Sequence, residues 1–311
     1  MITTVTLNAS LDKLYLVESM NPQSVMRVRQ VVDTAGGKGL NVSKAIALLG
    51  EMVEATGFLG GHNGRYIRQL LGQTGIRDSF TAAAGNTRIC INVRDMRTQK
   101  HTEFLEPGQD ISPRELEAFL TQYQAALAAS CVTVISGSVP GNLPADIYAT
   151  LVRMARQAGV AVILDTSGQP LKQAVAERPT LIKPNTDEIA QIMGAAPANR
   201  QELIESAQSL HAGGIEYVVI SLGKEGCILV CKEGVFQSNA LDALEVVNTV
   251  GCGDCMVAGF AVGLLHGYDA PTLLGFASAV ANANAMTLET GSFDPTVVPQ
   301  LQKEIEVKQL H

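Results

Sequence analysis

The chain has 311 residues, of which 46% are hydrophobic and 17% charged, and its net charge is −7. This length and apolar content suffice for one large α/β domain or two small ones that need no disulfides. The acidic balance and the lack of a basic cluster argue against a nucleic-acid partner. The opening MITTVTLN has no signal-peptide pattern, and no apolar run approaches the roughly 20 residues of a membrane helix. We therefore expect a cytoplasmic protein without a membrane partner.

The first third of the chain alternates between β-like and helical patterns. Strands are predicted at residues 1–7, 14–17, 26–32, 53–58, 87–93 and 102–105, and helices at 40–49 and 64–73. Two of these β segments, 14–32 and 87–105, interrupt the α/β rhythm. We expect them to form a separate small sheet.

The remainder of the chain has a regular strand–helix rhythm that predicts parallel βαβ units. It begins with a capping box, Ser112-Pro113-Arg114-Glu115, which predicts a helix to about residue 129. Glu233-Gly234 separates two β runs and predicts an antiparallel hairpin at the sheet edge. The helices predicted at 256–266 and 273–287 are almost entirely apolar, so we expect them to be buried. No linker or repeat divides the chain into independent domains.

A glycine-rich turn at residues 247–255, VNTVGCGDC, directly precedes the first of these apolar helices. Converging N–H groups and the positive end of a helix dipole favour an anion there, and Asp254 is a candidate base. The turn lacks the P-loop pattern, and Met256 occupies the third glycine position of the dinucleotide fingerprint. Cys252 and Cys255 form a C-x-x-C pair, so a thiol- or metal-dependent regulator is an alternative function.

Three further motifs end predicted strands. Residues 34–42, TAGGKGLNV, form a second glycine-rich turn before a helix. Residues 183–188, KPNTDE, combine one cation with several oxygen atoms, which suits a nucleotide phosphate and hydrated Mg²⁺. Residues 221–226, SLGKEG, form another glycine turn at the end of a strand.

These motifs, in this order, resemble those of the PfkB (ribokinase-like) sugar kinases, on the branch of tagatose-6-phosphate kinase and 1-phosphofructokinase. The resemblance extends over essentially the whole chain, including the opening TVTLN and the motif SGSVP at residues 136–140. It implies a single ribokinase-like unit, 1–311, with a mostly parallel sheet flanked by helices. It also implies a β lid from residues of about 12–34 and 87–106. Open lid edges would pair across a homodimer.

The implied activity is phosphorylation of a ketohexose phosphate at its free primary hydroxyl group by ATP and Mg²⁺, with a monovalent cation such as K⁺ as a further candidate. Tagatose 6-phosphate is favoured as substrate, and fructose 1-phosphate and fructose 6-phosphate are the alternatives. All three present a phosphate at one end and a primary hydroxyl group at the other. The sequence therefore leaves the choice between them open.

The resemblance also implies roles for individual residues. The anion hole and catalytic base correspond to Gly251, Cys252, Gly253 and Asp254, although the position of Cys252 is more usually Ala or Ser. The expected sugar-phosphate contacts are Asp12, Arg27, Gly36, Gly37, Lys38, Asn41, Arg88 and Ser138. Among these, the two arginines would bind the phosphate, one of them from a neighbouring subunit. The expected nucleotide contacts are Lys183, Asn185, Ser221, Gly223, Gly226, Thr249 and Asn282. Asn185 and Glu188 would hold Mg²⁺ largely through water.

Overall fold

The computed structural model describes residues 1–241 and 246–310, which form fourteen strands and ten α-helices. The strands are β1 (Ile2–Thr6), β2 (Ser10–Val17), β3 (Gln30–Gly36), β4 (Val53–Gly60), β5 (Arg77–Ala83), β6 (Arg88–Asp95), β7 (His101–Leu105), β8 (Val132–Ser136), β9 (Ala161–Asp165), β10 (Leu181–Ile182), β11 (Tyr217–Ser221), β12 (Cys227–Cys231), β13 (Gly234–Ser238) and β14 (Val307–Leu310). The helices are α1 (Lys38–Leu48), α2 (Gly61–Leu71), α3 (Pro113–Leu127), α4 (Ile147–Gln157), α5 (Gly168–Val175), α6 (Thr186–Met193), α7 (Arg200–Ala212), α8 (Cys252–His266), α9 (Ala270–Ala285) and α10 (Val298–Glu304).

A ten-stranded sheet forms the centre of the molecule, in the order β14-β13-β12-β11-β10-β9-β8-β1-β4-β5. Seven strands that are neighbours in the sheet run parallel: β11, β10, β9, β8, β1, β4 and β5. Strands β12, β13 and β14 add antiparallel pairs at one edge. Parallel strands place their carboxyl ends along one side of a sheet, and ligands of open α/β sheets bind on that side. The predicted motifs after several strands are thereby brought to one edge.

Successive residues of the central strands supply two separate hydrophobic clusters, one on each face of the sheet. Val134 belongs to the cluster shared with α1, α2, α8, α9 and α10, and its neighbour Ile135 belongs to the cluster shared with α3 to α7. The strands are therefore apolar on both faces, as expected for a parallel sheet covered by helices. Both clusters are fully buried at their centres, so they hold the helix N-termini in fixed positions above the carboxyl edge.

A second sheet of four strands, in the order β3-β2-β6-β7, lies beside this edge. Strand β2 pairs antiparallel with β3 and parallel with β6, and β6 pairs antiparallel with β7. We call this sheet the lid. One lid face lines the cavity described below, and the opposite face carries exposed apolar side chains such as Val31 and Phe104.

The predicted fold class, a mostly parallel α/β sheet with flanking helices and a small β lid, is confirmed. The extended segment predicted at 26–32 was misplaced, because the strand is Gln30–Gly36 and pairs as far as Gly36 with Ser10. Strands β5 and β14 and helix α10 were not predicted. Both strands are sheet edges with exposed charged residues and therefore lack a continuous apolar run. Among the described residues, no helix is long and apolar enough to cross a bilayer.

Candidate active site

The glycine-rich turns, the four lid strands and the start of α8 surround a cavity of about 480 Å³. The helices α1 and α8 begin at this cavity, because Lys38 and Gly253 in their first turns line it. Predicted site residues from four different elements line this cavity: Asp12, Gly37, Lys38, Asn41, Arg88, Gly251, Gly253 and Asp254. The structure thus brings together two motifs that are more than 200 residues apart in the chain.

Asp254 lies in the first turn of α8 with only 6% of its surface exposed. Asn41 Nδ2 donates a hydrogen bond to Asp254 Oδ2 at 2.8 Å. Burial is the largest cause that raises the pKa of Asp254, to about 6, and the ammonium group of Lys38 opposes it. A carboxyl group with a pKa near neutrality is suited to accept a proton from a hydroxyl group.

The N-terminus of α8 presents unpaired N–H groups. Gly251 has a φ of 85°, in the left-handed region, and turns the chain sharply into the helix. The N–H group of Cys252 donates to the Thr249 carbonyl at 3.3 Å. Within residues 1–241 and 246–310, the N–H groups of Gly251, Gly253 and Asp254 donate to no acceptor. Three such groups and the helix dipole favour an anion at this position.

Two lysines beside this turn share one buried carboxylate, Asp165, at the end of β9. Lys38 Nζ lies 3.3 Å from Asp165 Oδ2, and Lys183 Nζ lies 3.2 Å from Asp165 Oδ1. Burial alone would raise the pKa of Asp165, but the two ammonium groups outweigh it and hold the pKa below its usual range. In return, Asp165 raises the pKa of Lys38. Lys183 also borders the glycine-rich turn at residues 247–255, which we call the anion turn, because a Cβ atom on Gly253 would lie 3.6 Å from the Lys183 Nζ atom.

Asp165 was not predicted from the sequence. It stands at the carboxyl end of a buried strand, which is the one signal that could have singled it out. A lone Asp at a strand end is common, however, so this signal is weak. The two lysine partners of Asp165 lie 127 residues before it and 18 residues after it in the chain.

Asp12 projects from the lid toward the first glycine turn. A Cβ atom on Gly36 would lie 2.0 Å from Asp12 Cγ, so only glycine lets the two segments approach this closely. Ser10 Oγ donates to Asp12 Oδ1 at 2.6 Å. Burial raises the pKa of Asp12, against the opposing effect of this hydrogen bond and of Lys44. The carboxyl group is therefore placed to accept hydrogen bonds from a polyol in the cavity.

A smaller cavity of about 190 Å³ adjoins the first, and Lys38 and Arg88 line both. Ser138 lines the smaller cavity and accepts a hydrogen bond from Asn8 Nδ2 at 3.0 Å. Arg88 donates to the carbonyl groups of Asn8 and Glu106, both at 3.1 Å, whereas its buried Nε atom has no partner among the described residues. Two cations around a small polar cavity suit an anionic group.

Arg27 does not join the other predicted sugar-phosphate contacts. It lies in the exposed segment between β2 and β3 and lines neither cavity. That one of the two arginines comes from a neighbouring subunit stays a prediction.

None of the seven predicted nucleotide contacts lines either cavity, and five of them lie at or just after the ends of β10 and β11: Lys183, Asn185, Ser221, Gly223 and Gly226. Asn185 and Ser221 form a parallel bridge, and Gly223 and Gly226 turn the chain with φ angles of 60° and 84°. Thr249 is exposed at the start of the anion turn. Asn282 donates its amide to the Ser278 carbonyl within α9, at 2.8 Å, so its hydrogen-bonding capacity toward an adenine is reduced.

The two predicted metal ligands already form a capping box. Asn185 Oδ1 accepts from the Glu188 N–H group at 2.8 Å, and Glu188 Oε2 accepts from the Asn185 N–H group at 2.9 Å. One carboxylate oxygen, Glu188 Oε1, takes no part in this box. Among the described residues, no three His, Cys, Asp or Glu side chains form a metal-binding group. This donor set fits a cation held mainly by phosphate and water rather than by the protein.

The C-x-x-C pair does not have the chemistry of a reactive thiol site. Burial raises the pKa of both Cys252 and Cys255, so the protonated thiols are favoured. The Cys255 thiol donates to Asn284 Oδ1 at 3.3 Å. Cys252 lines neither cavity, and its thiol receives a hydrogen bond from Asn284 Nδ2 at 3.5 Å. These contacts favour a packing role over the regulator function.

Comparisons with known proteins agree with this geometry. Residues 5–297 match the pfkB family of carbohydrate kinases. The chain belongs to this family. The predictions of the family and of kinase activity are thereby confirmed.

Individual relatives cover nearly the whole chain. A tagatose-6-phosphate kinase of Staphylococcus epidermidis is 39% identical over 310 residues, which is 99% of each chain. A structure named as a possible 1-phosphofructokinase of Thermotoga maritima is 28% identical, covers 100% of both chains and has a TM-score of 0.92. Phosphofructokinase-2 of Escherichia coli, in complex with potassium, is 26% identical with a TM-score of 0.91 and covers 97% of this chain and 98% of its own.

Proposed function

We propose that the protein transfers the γ-phosphoryl group of ATP to the free primary hydroxyl group of tagatose 6-phosphate, giving the 1,6-bisphosphate. The observation that carries the reaction type is the buried Asp254 carboxyl group with a pKa of about 6, beside unpaired N–H groups of the same helix turn. The choice of sugar rests on the 39% identical relative that is named tagatose-6-phosphate kinase.

The proposed chemistry follows from what phosphoryl transfer requires. Its transition state is loose and carries charge on the equatorial oxygens, so positioning and electrostatic stabilisation do most of the work. Asp254 would accept the proton of the attacking hydroxyl group. The N–H groups of Gly251, Gly253 and Asp254 would bind the transferring group. Lys183, held by Asp165, would add positive charge at its edge.

The sugar phosphate would span the two adjoining cavities. Its free hydroxyl group would lie in the larger cavity near Asp254, with other hydroxyl groups donating to Asp12. Its phosphate would lie in the smaller cavity between Lys38, Arg88 and Ser138. This arrangement requires a substrate with an anionic end, so unphosphorylated sugars should be poor substrates.

Mg²⁺ is proposed as a cofactor, approached by Asn185 and Glu188 through water. When bound, it would neutralise charge on the nucleotide phosphates. K⁺ is also proposed, because a relative has been solved in complex with potassium. Replacing K⁺ by a tetraalkylammonium ion in the assay tests it, and unchanged turnover would remove K⁺ from the proposal.

We also propose that the chain is one kinase unit and that it forms a homodimer. A single kinase unit, 1–311, would pair with a second copy through its lid, segments 12–34 and 87–106. The support is the exposed apolar surface on the outer lid face, including Val31 (51% exposed) and Phe104 (55% exposed). The cytoplasm remains the expected location.

The experiment that tests the function is an ADP-release assay that compares kcat/KM across four kinds of acceptor. These are tagatose 6-phosphate, fructose 1-phosphate, fructose 6-phosphate and the unphosphorylated ketohexoses. The highest kcat/KM is expected with tagatose 6-phosphate. A preference for either fructose phosphate would change the sugar and keep the mechanism. Turnover of unphosphorylated sugars alone would contradict the roles given to Lys38 and Arg88.

A further inference from the structure

Asn284, in the last turn of α9, is completely buried, and its amide makes four hydrogen bonds. Nδ2 donates to the Val250 carbonyl at 3.0 Å and to Cys252 Sγ at 3.5 Å. Oδ1 accepts from the Gly291 N–H group at 2.9 Å and from the Cys255 thiol at 3.3 Å. Three of these four partners lie at the N-terminus of α8. A residue from another helix therefore holds the turn that precedes the catalytic carboxyl group.

The bond to Val250 has a particular consequence for Asp254. In a regular helix, the Asp254 N–H group would donate to the carbonyl four residues earlier, which is that of Val250. The φ of 85° at Gly251 takes the chain out of the helical path there, and Asn284 Nδ2 occupies the Val250 carbonyl instead. The Asp254 N–H group is thereby left available to an anion. The turn has no side-chain cap of its own that could replace Asn284.

Asn284 also joins this turn to the next one along the chain. A Cβ atom on Gly251 would lie 2.5 Å from Thr290 Cγ2 and 3.1 Å from the Gly291 nitrogen, so the two turns are in close contact. The half-buried Lys44 donates from Nζ to the Thr290 carbonyl at 3.0 Å and fixes the second turn from α1. The amide oxygen and nitrogen of Asn284 thus set the distance between the two turns.

We propose that Asn284 is a positioning residue for phosphoryl transfer, which holds the Val250 carbonyl so that the Asp254 N–H group and carboxyl group face the transferring group. Asn284 lines neither cavity and acts through the turn rather than on substrate. The inference rests on the proposed kinase function, but it does not depend on which sugar is phosphorylated.

Two substitutions test it, with turnover measured on whichever acceptor the parent enzyme uses best. Asn284→Ala removes all four hydrogen bonds of the amide and should lower kcat on the order of 10²-fold, as for a misplacement of about 1 Å, with KM values within about threefold of the parent. Asn284→Asp is isosteric, and its carboxyl group can donate to the Val250 carbonyl only when protonated. Its kcat relative to the parent should therefore rise as the pH falls from 8 to 6, whereas the Asn284→Ala ratio should stay constant.

The control is Asn142→Ala, at an exposed position. Its amide also bridges two backbone groups, accepting from the Ile111 N–H group at 3.1 Å and donating to the Ile111 carbonyl at 2.8 Å, outside both cavities. This variant should lose stability and keep kcat. A folded Asn284→Ala enzyme with parental kcat would overturn the proposal. If Asn284→Ala does not fold, a pH-independent ratio for Asn284→Asp would overturn it equally. Either result leaves the proposed function standing, because that depends on the parent's turnover.

Discussion

The burial that raises the pKa of Asp254 to about 6 makes its protonation state change within the usual assay range. A base must be ionised to accept a proton, so kcat/KM should rise with pH through about 6 and level off above it. Asp254→Asn should lower kcat by about 10²- to 10⁴-fold and abolish this dependence. Measuring kcat/KM from pH 5 to 9 checks both statements. A profile that is flat between pH 5 and 7 would contradict the role of Asp254.

The stability of the same variant separates lost chemistry from lost folding. The pKa of Asp254 is higher in the folded protein than in the unfolded chain, so the ionised carboxylate costs free energy above about pH 6. Asparagine carries no charge, and Asp254→Asn should therefore unfold at a higher urea concentration than the parent at pH 8. The difference should shrink as the pH falls from about 6 to about 4 and vanish below that, where both folded and unfolded Asp254 are protonated.

The pKa of Asp165 is shifted in the opposite direction to that of Asp254. Its pKa is lowered in the folded protein by Lys183 and Lys38, so its contribution to stability is present above a pH of about 4 and lost as the pH falls. Asp165→Asn leaves the buried Lys183 ammonium without its counter-ion and should reduce the free energy of unfolding by about 3 kcal/mol at pH 7. Urea unfolding at pH 7 and pH 3.5 should show that the loss is largest at pH 7.

The control for this substitution is Asp78→Asn, in the pair that Asp78 forms with Arg68. Both side chains of this pair are about 30% exposed, so their attraction is weakened by water. A pair of this kind is worth at most about 1 kcal/mol. If Asp78→Asn and Asp165→Asn reduce the free energy of unfolding equally, burial of Lys183 does not increase the cost of removing its counter-ion.

At the scale of helices and strands, the two ends of α8 offer a matched comparison. Gly251 before the helix and Gly267 after it both have left-handed φ angles, of 85° and 68°. A Cβ atom on Gly267 would meet nothing within 4 Å, whereas one on Gly251 would lie 2.5 Å from Thr290 Cγ2. Gly267→Ala should cost about 1–2 kcal/mol of backbone strain and keep kcat. Gly251→Ala should add displacement of the anion turn and lower kcat at least about tenfold.

Thermal unfolding and kcat of both variants, measured side by side, check this comparison. If Gly251→Ala and Gly267→Ala have equal kcat values, the turn tolerates displacement. The anion site would then not depend on the geometry described here.

The same elements mark how far the sequence alone could lead. The helix start after Gly251 and the cluster Gly36, Gly37, Lys38 could be predicted because each is a local pattern, a small-residue turn before an apolar helical run. Asp165 and Asn284 could not, because each is a single polar residue whose importance comes from partners distant in the chain. Edge strands β5 and β14 were missed for a related reason, since half-exposed strands lack the apolar periodicity that reveals buried ones.

At the scale of the whole molecule, substitutions on the lid surface test the proposed dimer. Its outer face exposes Val31 and Phe104, which would be covered by the lid of a second copy. Val31→Asp places a charge in that contact and should convert the dimer into monomers. Met52→Asp is the control, because Met52 is 73% exposed and lies between α1 and β4, away from the lid. Sedimentation velocity of both variants decides the point, and a parent that is already monomeric would end the dimer proposal.

Arg27 connects the assembly to catalysis, because it is exposed on the lid side and lines neither cavity of its own chain. If each subunit lends Arg27 to its partner's site, Arg27→Ala should lower kcat/KM for the sugar phosphate about tenfold or more through loss of a charge-assisted hydrogen bond. Mixing Arg27→Ala with Asp254→Asn subunits should then restore activity. In each mixed dimer, one site combines an intact Asp254 with an intact Arg27 from the other subunit.

Random exchange of equal amounts makes half of the dimers mixed, so about a quarter of all sites should regain parental kcat/KM. Each variant incubated alone under the same conditions provides the baseline. If Arg27 instead served its own subunit, every site in a mixed dimer would lack one of the two groups, and mixing would give only the average of the two baselines. Recovered turnover therefore requires both a dimer and an arginine that crosses between subunits, whereas the mass of the assembly alone would establish only the first.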